Sequence, residues 1–463
     1  MTDTTMDQAS PKSGPVSPKT GQAAAKTGQA AANGDQASLN YVPVQHTALK
    51  NAEIIPMSLR SVHFVMPGGV DDASAPSGGN AYDRRLCLDL PGFGWQVHKH
   101  AVAGGWPRPS ASARTELART LSEFPDDSVV LLDGLVACGV PEIIAPEAER
   151  LRLAVLVHLP LGDETGLASA VAAELDAKER ATLRAVSAVV ATSDWAVRRL
   201  VAHHGLAPER VHVAAPGADI APLASGTDGV SRLLCVAAVT PRKGQHRLIE
   251  ALATVTDLPW SCVCVGGLTQ DPTYVAQLRG LIEKYGLGDR LHLAGPQAGA
   301  ELDASYAAAD LMVLTSYAET YGMAVTEALA RGIPVLATDV GGLPEAGGGG
   351  ARGGGARRHE PPPPPPATAA PPRGLRGVPP AGAAPPGAGP RPPHGGVPGI
   401  LVPPENPAAL AAELRGWFGE ADVRRRLKAA ARSRRAALDG WATTARSLAG
   451  VLGRLPQQPR RAA

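Results

Sequence analysis

From Ser61 onward, short apolar runs alternate with stretches of helical period, and this rhythm leaves few folds open. The runs Val62–Met66, Val129–Leu132, Leu153–Val157 and Ala188–Ala191 are apolar at nearly every position rather than every second one. A strand with one wet face alternates, whereas one buried on both faces reads as a continuous apolar run. Helical patterns fall between these runs at Glu174–Ser187 and Trp195–His204, the second stopped by Gly205. A further strand, Arg210–Ala215, meets Pro216-Gly217 and a loose stretch to Gly229, which predicts a domain boundary. The rhythm then repeats. Strands are predicted at Leu233–Ala238, Cys262–Val265, Leu291–Ala294, Leu311–Leu314 and Pro334–Ala337, with helices at Gln245–Thr254, Tyr274–Tyr285, Leu302–Ala309 and Met323–Arg331. Two such units in succession predict an α/β protein with two parallel sheets, each covered on both faces. Ligands of such sheets bind at the carboxyl ends of the strands, here in a cleft between the two units.

At 463 residues the chain is long enough for two cores. The expected organisation is a first domain over 58–222, a second over 230–346 and 399–440, and a final helix and tail over 441–463. Residues 1–57 carry the repeat Lys-Thr-Gly-Gln-Ala-Ala-Ala at Lys19 and Lys26, with too little apolar surface to offset the entropy of ordering, so a disordered tail is expected. Residues 347–398 are dominated by Gly, Pro, Ala and Arg, with Pro361–Pro366 unbroken, and are expected to form neither helix nor strand. Two origins fit this segment: a disordered surface insertion, or GC-rich coding sequence read out of frame, whose codons give mostly Gly, Ala, Pro and Arg. Resequencing the DNA separates them.

Lys plus Arg (45) nearly balance Asp plus Glu (43), so no basic excess points to nucleic acid as a partner. No run approaches the roughly 20 apolar residues of a membrane span, and the N-terminus has no basic patch followed by an apolar core. Five cysteines are scattered. Cys262 and Cys264 share one face of their strand, but no second pair completes a zinc set, so buried reduced thiols are expected. Together these features fit the cytoplasm, either in solution or peripheral at the inner membrane face.

The chemistry concentrates after the strand ending at Leu314. In Glu319-Thr-Tyr-Gly-Met-Ala-Val-Thr-Glu327 one acid lies in the loop and the other on the first turns of a helix, with Gly322 at the turn and Met323 at the helix start. Free backbone N–H groups and the helix dipole at such a start favour an anion, here a diphosphate between Glu319 and Glu327. Each carboxylate accepts hydrogen bonds from sugar hydroxyls. An ordinary helix-terminal glutamate explains one acid but not the arrangement. Thr240-Pro-Arg242-Lys243-Gly244, between the first strand and helix of the second unit, places cations at the cleft mouth. In the first unit, Ser77-Gly78-Gly79-Asn80 forms a glycine-rich loop before the helix Ala81–Leu88, where the backbone can approach a ligand closely. His158 follows a strand and points toward the cleft, and Asp163 is either an acceptor contact or an ordinary loop carboxylate. Asp339-Val-Gly341-Gly342-Leu-Pro-Glu345 follows the last strand before the low-complexity segment.

The Glu319/Glu327 spacing resembles the E-x7-E signature of retaining glycosyltransferases, and its setting resembles glycosyltransferase family 4. The resemblance covers about Ser61 to Ala346 and Gly399 to Leu455. It implies a GT-B fold, two facing Rossmann-like domains, with a terminal helix near Trp441 crossing back to the first. It implies transfer of a hexose, with retention, from a UDP- or GDP-linked sugar to a glycan, lipid or small-molecule acceptor. By the same resemblance Glu319 contacts the transferred sugar, Glu327 the ribose, Lys243 the leaving diphosphate, and His158 the reacting sugar. Gly78, Gly79, Gly341, Gly342, Gly322 and Met323 then lie beside the donor. The family arginine falls at Ala238, leaving Arg242 as its substitute. No Asp-x-Asp motif occurs, so no metal or other cofactor is expected. Two alternatives use the same scaffold: a nucleotide-sugar-binding protein without turnover, and a sugar-nucleotide epimerase.

Overall fold

The computed structural model describes residues 60–72, 76–348 and 398–457. The tail predicted over 1–57 lies outside them, as does nearly all of the segment predicted over 347–398.

Six strands build the first sheet: β1 (Arg60–Pro67), β2 (Trp95–Val102), β3 (Val129–Asp133), β4 (Arg152–Val157), β5 (Ala188–Ala191) and β6 (Val211–Val213). Helices α1 (Gly78–Asp89), α2 (Ala111–Ser122), α3 (Gly134–Ala137), α4 (Pro141–Glu147), α5 (Ser169–Ala185) and α6 (Asp194–His204) connect them. The second sheet comprises β7 (Arg232–Val236), β8 (Ser261–Val265), β9 (Leu291–Gly295), β10 (Leu311–Leu314), β11 (Val335–Thr338) and β12 (Gly399–Val402). Its helices are α7 (Gln245–Ala253), α8 (Pro272–Lys284), α9 (Gly299–Ala307), α10 (Met323–Ala330), α11 (Leu343–Ala346), α12 (Pro407–Gly419) and α13 (Ala421–Arg435), with α14 (Trp441–Gly453) closing the chain. Both sheets are parallel, in the orders β2-β1-β3-β4-β5-β6 and β12-β11-β10-β7-β8-β9. These are two Rossmann-like domains.

The continuous apolar runs have the expected cause. Along β1, β3 and β4, Val62, Phe64, Leu131, Ala154 and Leu156 enter one core, while Val65, Val130, Leu132, Leu153 and Val155 enter the core on the opposite face. Helix α14 completes the first of these cores: Trp441, Leu448, Val451 and Leu452 pack with the first sheet, not the second. Local chemistry fixes the helix ends. Ser193 caps α6 by accepting from Ala196 N at 3.0 Å, and Gly205 ends it in the left-handed region with φ of 62°.

Three differences from the sequence reading have physical reasons. Strand β2 carries His98, Lys99 and His100 and sits at the sheet edge, so it has no apolar run to betray it. Helix α5 begins at Ser169 rather than Glu174. Gly78 and Gly79 are the first two residues of α1 rather than a preceding loop, because Ser77 Oγ accepts from Asn80 N at 3.0 Å and caps the helix there. Cys262 and Cys264 are buried and free, as expected of strand thiols; with Cys87, Cys138 and Cys235 no disulfide forms.

Candidate functional site

The loop between β10 and α10 follows the carboxyl end of its strand and meets residues of the first domain. Glu319 is buried there, accepting from Ser316 Oγ at 2.8 Å and from Lys243 Nζ. Burial alone would raise its pKa, but the charges of Lys243 and Arg242 and the two hydrogen bonds hold it below the ordinary carboxylate value. Lys243 reaches it because the turn Pro241–Lys243 is tied to the end of β10. Thr315 Oγ1 donates to the carbonyls of Lys243 (3.2 Å) and Gly244 (3.0 Å).

Two glycines shape the loop. Gly322 caps α10 with φ of +97°, and a Cβ there would meet Leu343 at 2.4 Å. No side chain caps this helix start, so its first N–H groups are left for a ligand. Gly341 has φ of +56°, and its Cβ would fall 1.8 Å from the carbonyl oxygen of Glu319. Gly342 N donates to that oxygen at 2.9 Å, and the Gly342 Cα abuts the Thr320 carbonyl. The glycine pair thus supports the Glu319 loop from beneath. Gly341→Ala is expected to destabilise the protein by about 1–3 kcal/mol through overpacking, beyond the left-handed cost of about 1–2 kcal/mol. A thermal melt reads this as a fall of several degrees in Tm; an unchanged melt would mean the loop yields freely.

Residues of the first domain meet this loop directly. Thr320 Oγ1 donates to the His158 carbonyl and Ser193 Oγ to the Thr320 carbonyl, each at 2.5 Å. Gly78 faces Met323, its Cβ position 3.6 Å from the sulfur. A Cβ on Gly79 would press on the His158 ring at 3.2 Å. The uncapped start of α10, the start of α1 and His158 are therefore brought together. Arg242 is turned elsewhere: it donates to Glu164 Oε1 (3.0 Å) of the first domain and to the Ala318 carbonyl (3.2 Å). Asp163 pairs with Arg199 at 2.7 Å.

Glu327 faces a different part of the cleft. Its carboxylate accepts from Tyr306 Oη at 2.7 Å, and burial raises its pKa. It lines a cavity of about 230 Å³ with Arg85, Asp219, Tyr306, Arg331 and Trp441, which draws on both domains. Glu319 does not line that cavity.

Asp83 and Asp133 were not singled out from the sequence. Both are buried and both face His158, whose Nε2 lies 2.8 Å from Asp83 Oδ1 and 3.6 Å from Asp133 Oδ2. Burial would lower the His158 pKa, but the two carboxylates push it up to about 9. Burial and the Asp83 charge raise Asp133 to about 8. The available signal was positional: Asp133, like His158, stands at the carboxyl end of its strand run, before Gly134. Asp83 gives no such signal, being one polar residue within a helix.

Two groups among the described residues have metal-ligand spacing. Asp176, His203 and His204 lie on α5 and α6, where Asp176 is already engaged by Arg180 and His203. Asp83, Asp133 and His158 have the same spacing, and there His158 Nε2 is already hydrogen-bonded to Asp83 Oδ1 at 2.8 Å. No helix among the described residues is long and apolar enough to cross a membrane.

Comparison with known proteins finds likenesses in sequence and in fold. Residues 227–353, which hold Lys243, Glu319 and Glu327, match the family described as Glycosyl transferases group 1. The D-inositol 3-phosphate glycosyltransferase of Kineococcus radiotolerans is 30% identical over 298 residues, 60% of each chain. D-inositol 3-phosphate glycosyltransferase 1 of Catenulispora acidiphila is 35% identical over 191 residues, 37% of this chain and 45% of the relative. The chain spans between 38% and 60% of the length of such relatives. Among solved structures, sucrose-phosphate synthase from Thermosynechococcus elongatus superposes with a TM-score of 0.63 at 20% identity, covering 86% of this chain and 99% of that one. Anabaena Alr3699/HepE, solved in complex with UDP and glucose, gives 0.60 at 19% identity, covering 85% and 99%. At these identities the likeness is one of fold. The chain thus has the GT-B fold, and its residues 227–353 are similar to the family described as Glycosyl transferases group 1.

Proposed function

We propose that this protein is a retaining glycosyltransferase of family 4, moving a hexose from a UDP- or GDP-linked sugar to an acceptor hydroxyl. The observation that carries the reading is the buried Lys243–Glu319 pair beside the uncapped start of α10, within the matched segment. The diphosphate sits on that helix start, and Lys243 turns from Glu319 to meet the negative charge that develops as the glycosidic bond breaks. Glu319, freed of the lysine, accepts hydrogen bonds from hydroxyls of the sugar. Glu327, at the cavity shared by both domains, accepts from the ribose. Met323, Gly322, Gly78 and Gly79 bound the diphosphate, and Gly341 and Gly342 act by holding the loop. The leaving phosphate takes the acceptor's proton on the same face of the sugar.

UDP-glucose is the first donor to try, because HepE was solved with UDP and glucose. Inositol phosphates are the first acceptors, because the relatives are named for one. No divalent metal is needed in this reading, since Lys243 and the helix start supply the positive field, and excess EDTA should leave the rate unchanged. The free thiols fit a reducing cytoplasm.

The test is a thermal-shift panel of nucleotide sugars, followed by donor turnover with and without acceptors. A ligand at 100 times its Kd adds about 2.7 kcal/mol of stability. Glu327→Ala should reduce the shift given by nucleoside diphosphates as well as by nucleotide sugars, since the ribose contact is common to both. An equal shift in mutant and parent would remove Glu327 from the site. Arg242, held by Glu164 and Ala318, favours a second reading: donor binding without turnover. Tight donor binding with no product under any acceptor would support it, and product formed without an acceptor would support an epimerase.

A further inference from the structure

We infer that Asp83 and Asp133 are positioning residues that hold the His158 ring by Nε2 as a cation and turn its Nδ1–H toward the bound donor. The inference rests on the donor site proposed above. Its geometric basis is independent of it.

Three observations combine. First, His158 Nε2 is within 2.8 Å of Asp83 Oδ1 and 3.6 Å of Asp133 Oδ2, so one ring nitrogen faces two carboxylates. Its Nδ1 has no hydrogen-bond partner among the described residues, and the side chain keeps 20% of its surface exposed. Second, the carboxylates cannot turn to water. Asp83 has no exposed surface, and its Oδ2 is buried without a partner. Asp133 is fastened by Leu135 N, which donates to its Oδ1 at 2.5 Å. Third, the ring is clamped. Gly79 lies over it, Tyr82 meets it edge-on at 5.2 Å, and Thr320 holds the His158 carbonyl.

Two buried like charges beside one imidazole fix the proton count. The imidazolium balances one carboxylate, and the second is relieved by keeping its own proton. This agrees with Asp133 pushed up to about 8 and His158 to about 9. The other ionisable groups packed around the ring do not disturb it: Glu319 is turned to Lys243, Asp163 to Arg199, and Tyr82 donates its hydroxyl to the Ala214 carbonyl at 2.7 Å. A carboxylate on one ring nitrogen fixes which face of a histidine presents the other. A cationic Nδ1–H is a hydrogen-bond donor at the helix starts where the diphosphate is placed, so it serves as an electrostatic contact and not as a base.

The experiment is imidazole NMR titration of the full chain, with the His158 resonance assigned by its loss in His158→Gln. The parent should titrate near 9 at this residue. Asp83→Asn should move it down by about 2 pH units, and Asp83→Glu should restore most of that. A merely structural Asp83 would lower Tm without moving this titration. If Asp83→Asn does not fold, Asp133→Asn is read in its place, with a smaller downward movement expected. Donor affinity for UDP-glucose should hold to about pH 8 in the parent, falling only as pH passes about 9, and should fall about tenfold between pH 6 and 8 in Asp83→Asn. A parent His158 titrating near 6.5, or one unmoved by both variants, overturns the inference. Failure of every nucleotide sugar to bind at pH 6 overturns the functional reading instead, and the titration distinguishes the two.

Discussion

Lys243→Ala is expected to lower kcat by about 10²- to 10³-fold, the usual loss when one preorganised contact to developing negative charge is removed. Lys243 has an anchored backbone. Its turn is fastened to the end of β10 by Thr315, so its ammonium can exchange one partner for another without moving backbone. In the unliganded protein that partner is Glu319. In the transfer proposed above it is the departing phosphate, whose charge grows as the bond breaks, so the interaction would be stronger in the transition state than with the intact donor. The effect should therefore fall on kcat more than on donor affinity. Single-turnover measurement of nucleotide release decides the matter: an unchanged kcat would show that the lysine only neutralises Glu319. Lys243→Arg should recover part of the rate, since it keeps the charge but not the compact head group.

The second large effect concerns its partner. Glu319→Ala leaves Lys243, whose side chain is 16% exposed, without its carboxylate. Removing one member of a buried pair costs about 3–5 kcal/mol when the other stays buried. The unliganded variant should melt well below the parent. Nucleoside diphosphate should recover much of that loss, because its phosphates replace the missing carboxylate. The same variant should bind UDP-glucose no better than UDP, having lost its contact with the sugar. Retained preference for one sugar, or a melt that UDP does not restore, would remove Glu319 from the donor site. The pH dependence has a definite sign. The Glu319 pKa is depressed on folding, chiefly by Lys243 and Arg242 working against burial. Its contribution is present above the ordinary carboxylate pKa and is lost as pH falls through the lower folded value. The gap in Tm between parent and variant should accordingly narrow in acid.

Much of the site was legible because it lies in local motifs. Glu319, Gly322, Met323 and Glu327 occupy one strand–loop–helix unit, and the structure places Gly322 and the helix start where the pattern put them. Arg242 and Lys243 were legible as cations at a strand–helix turn. Their different fates were not: one pairs with Glu319 in its own domain and the other with Glu164 in the opposite one. Gly341 and Gly342 looked like a ligand loop, yet their tightest neighbours are the carbonyls of Glu319 and Thr320. A glycine's need for close approach can be read from a chain; what approaches it cannot.

Sequence alone determined the class of fold and the order of its layers. Apolar runs of four to six residues without alternation, bounded by turn residues, fit strands buried on both faces, and the intervening helical periods supply the cover. It also determined which turns open onto the cleft, since these follow the carboxyl ends of parallel strands. Tertiary structure alone decided the partnerships. Asp83, Asp133 and His158 come from α1, the end of β3 and the turn after β4, 75 residues apart at the longest contact, and nothing in their spacing announces that they meet. Such groups pair because each would be intolerably costly to bury alone, and which ones meet is set by how the sheets and helices stack around them.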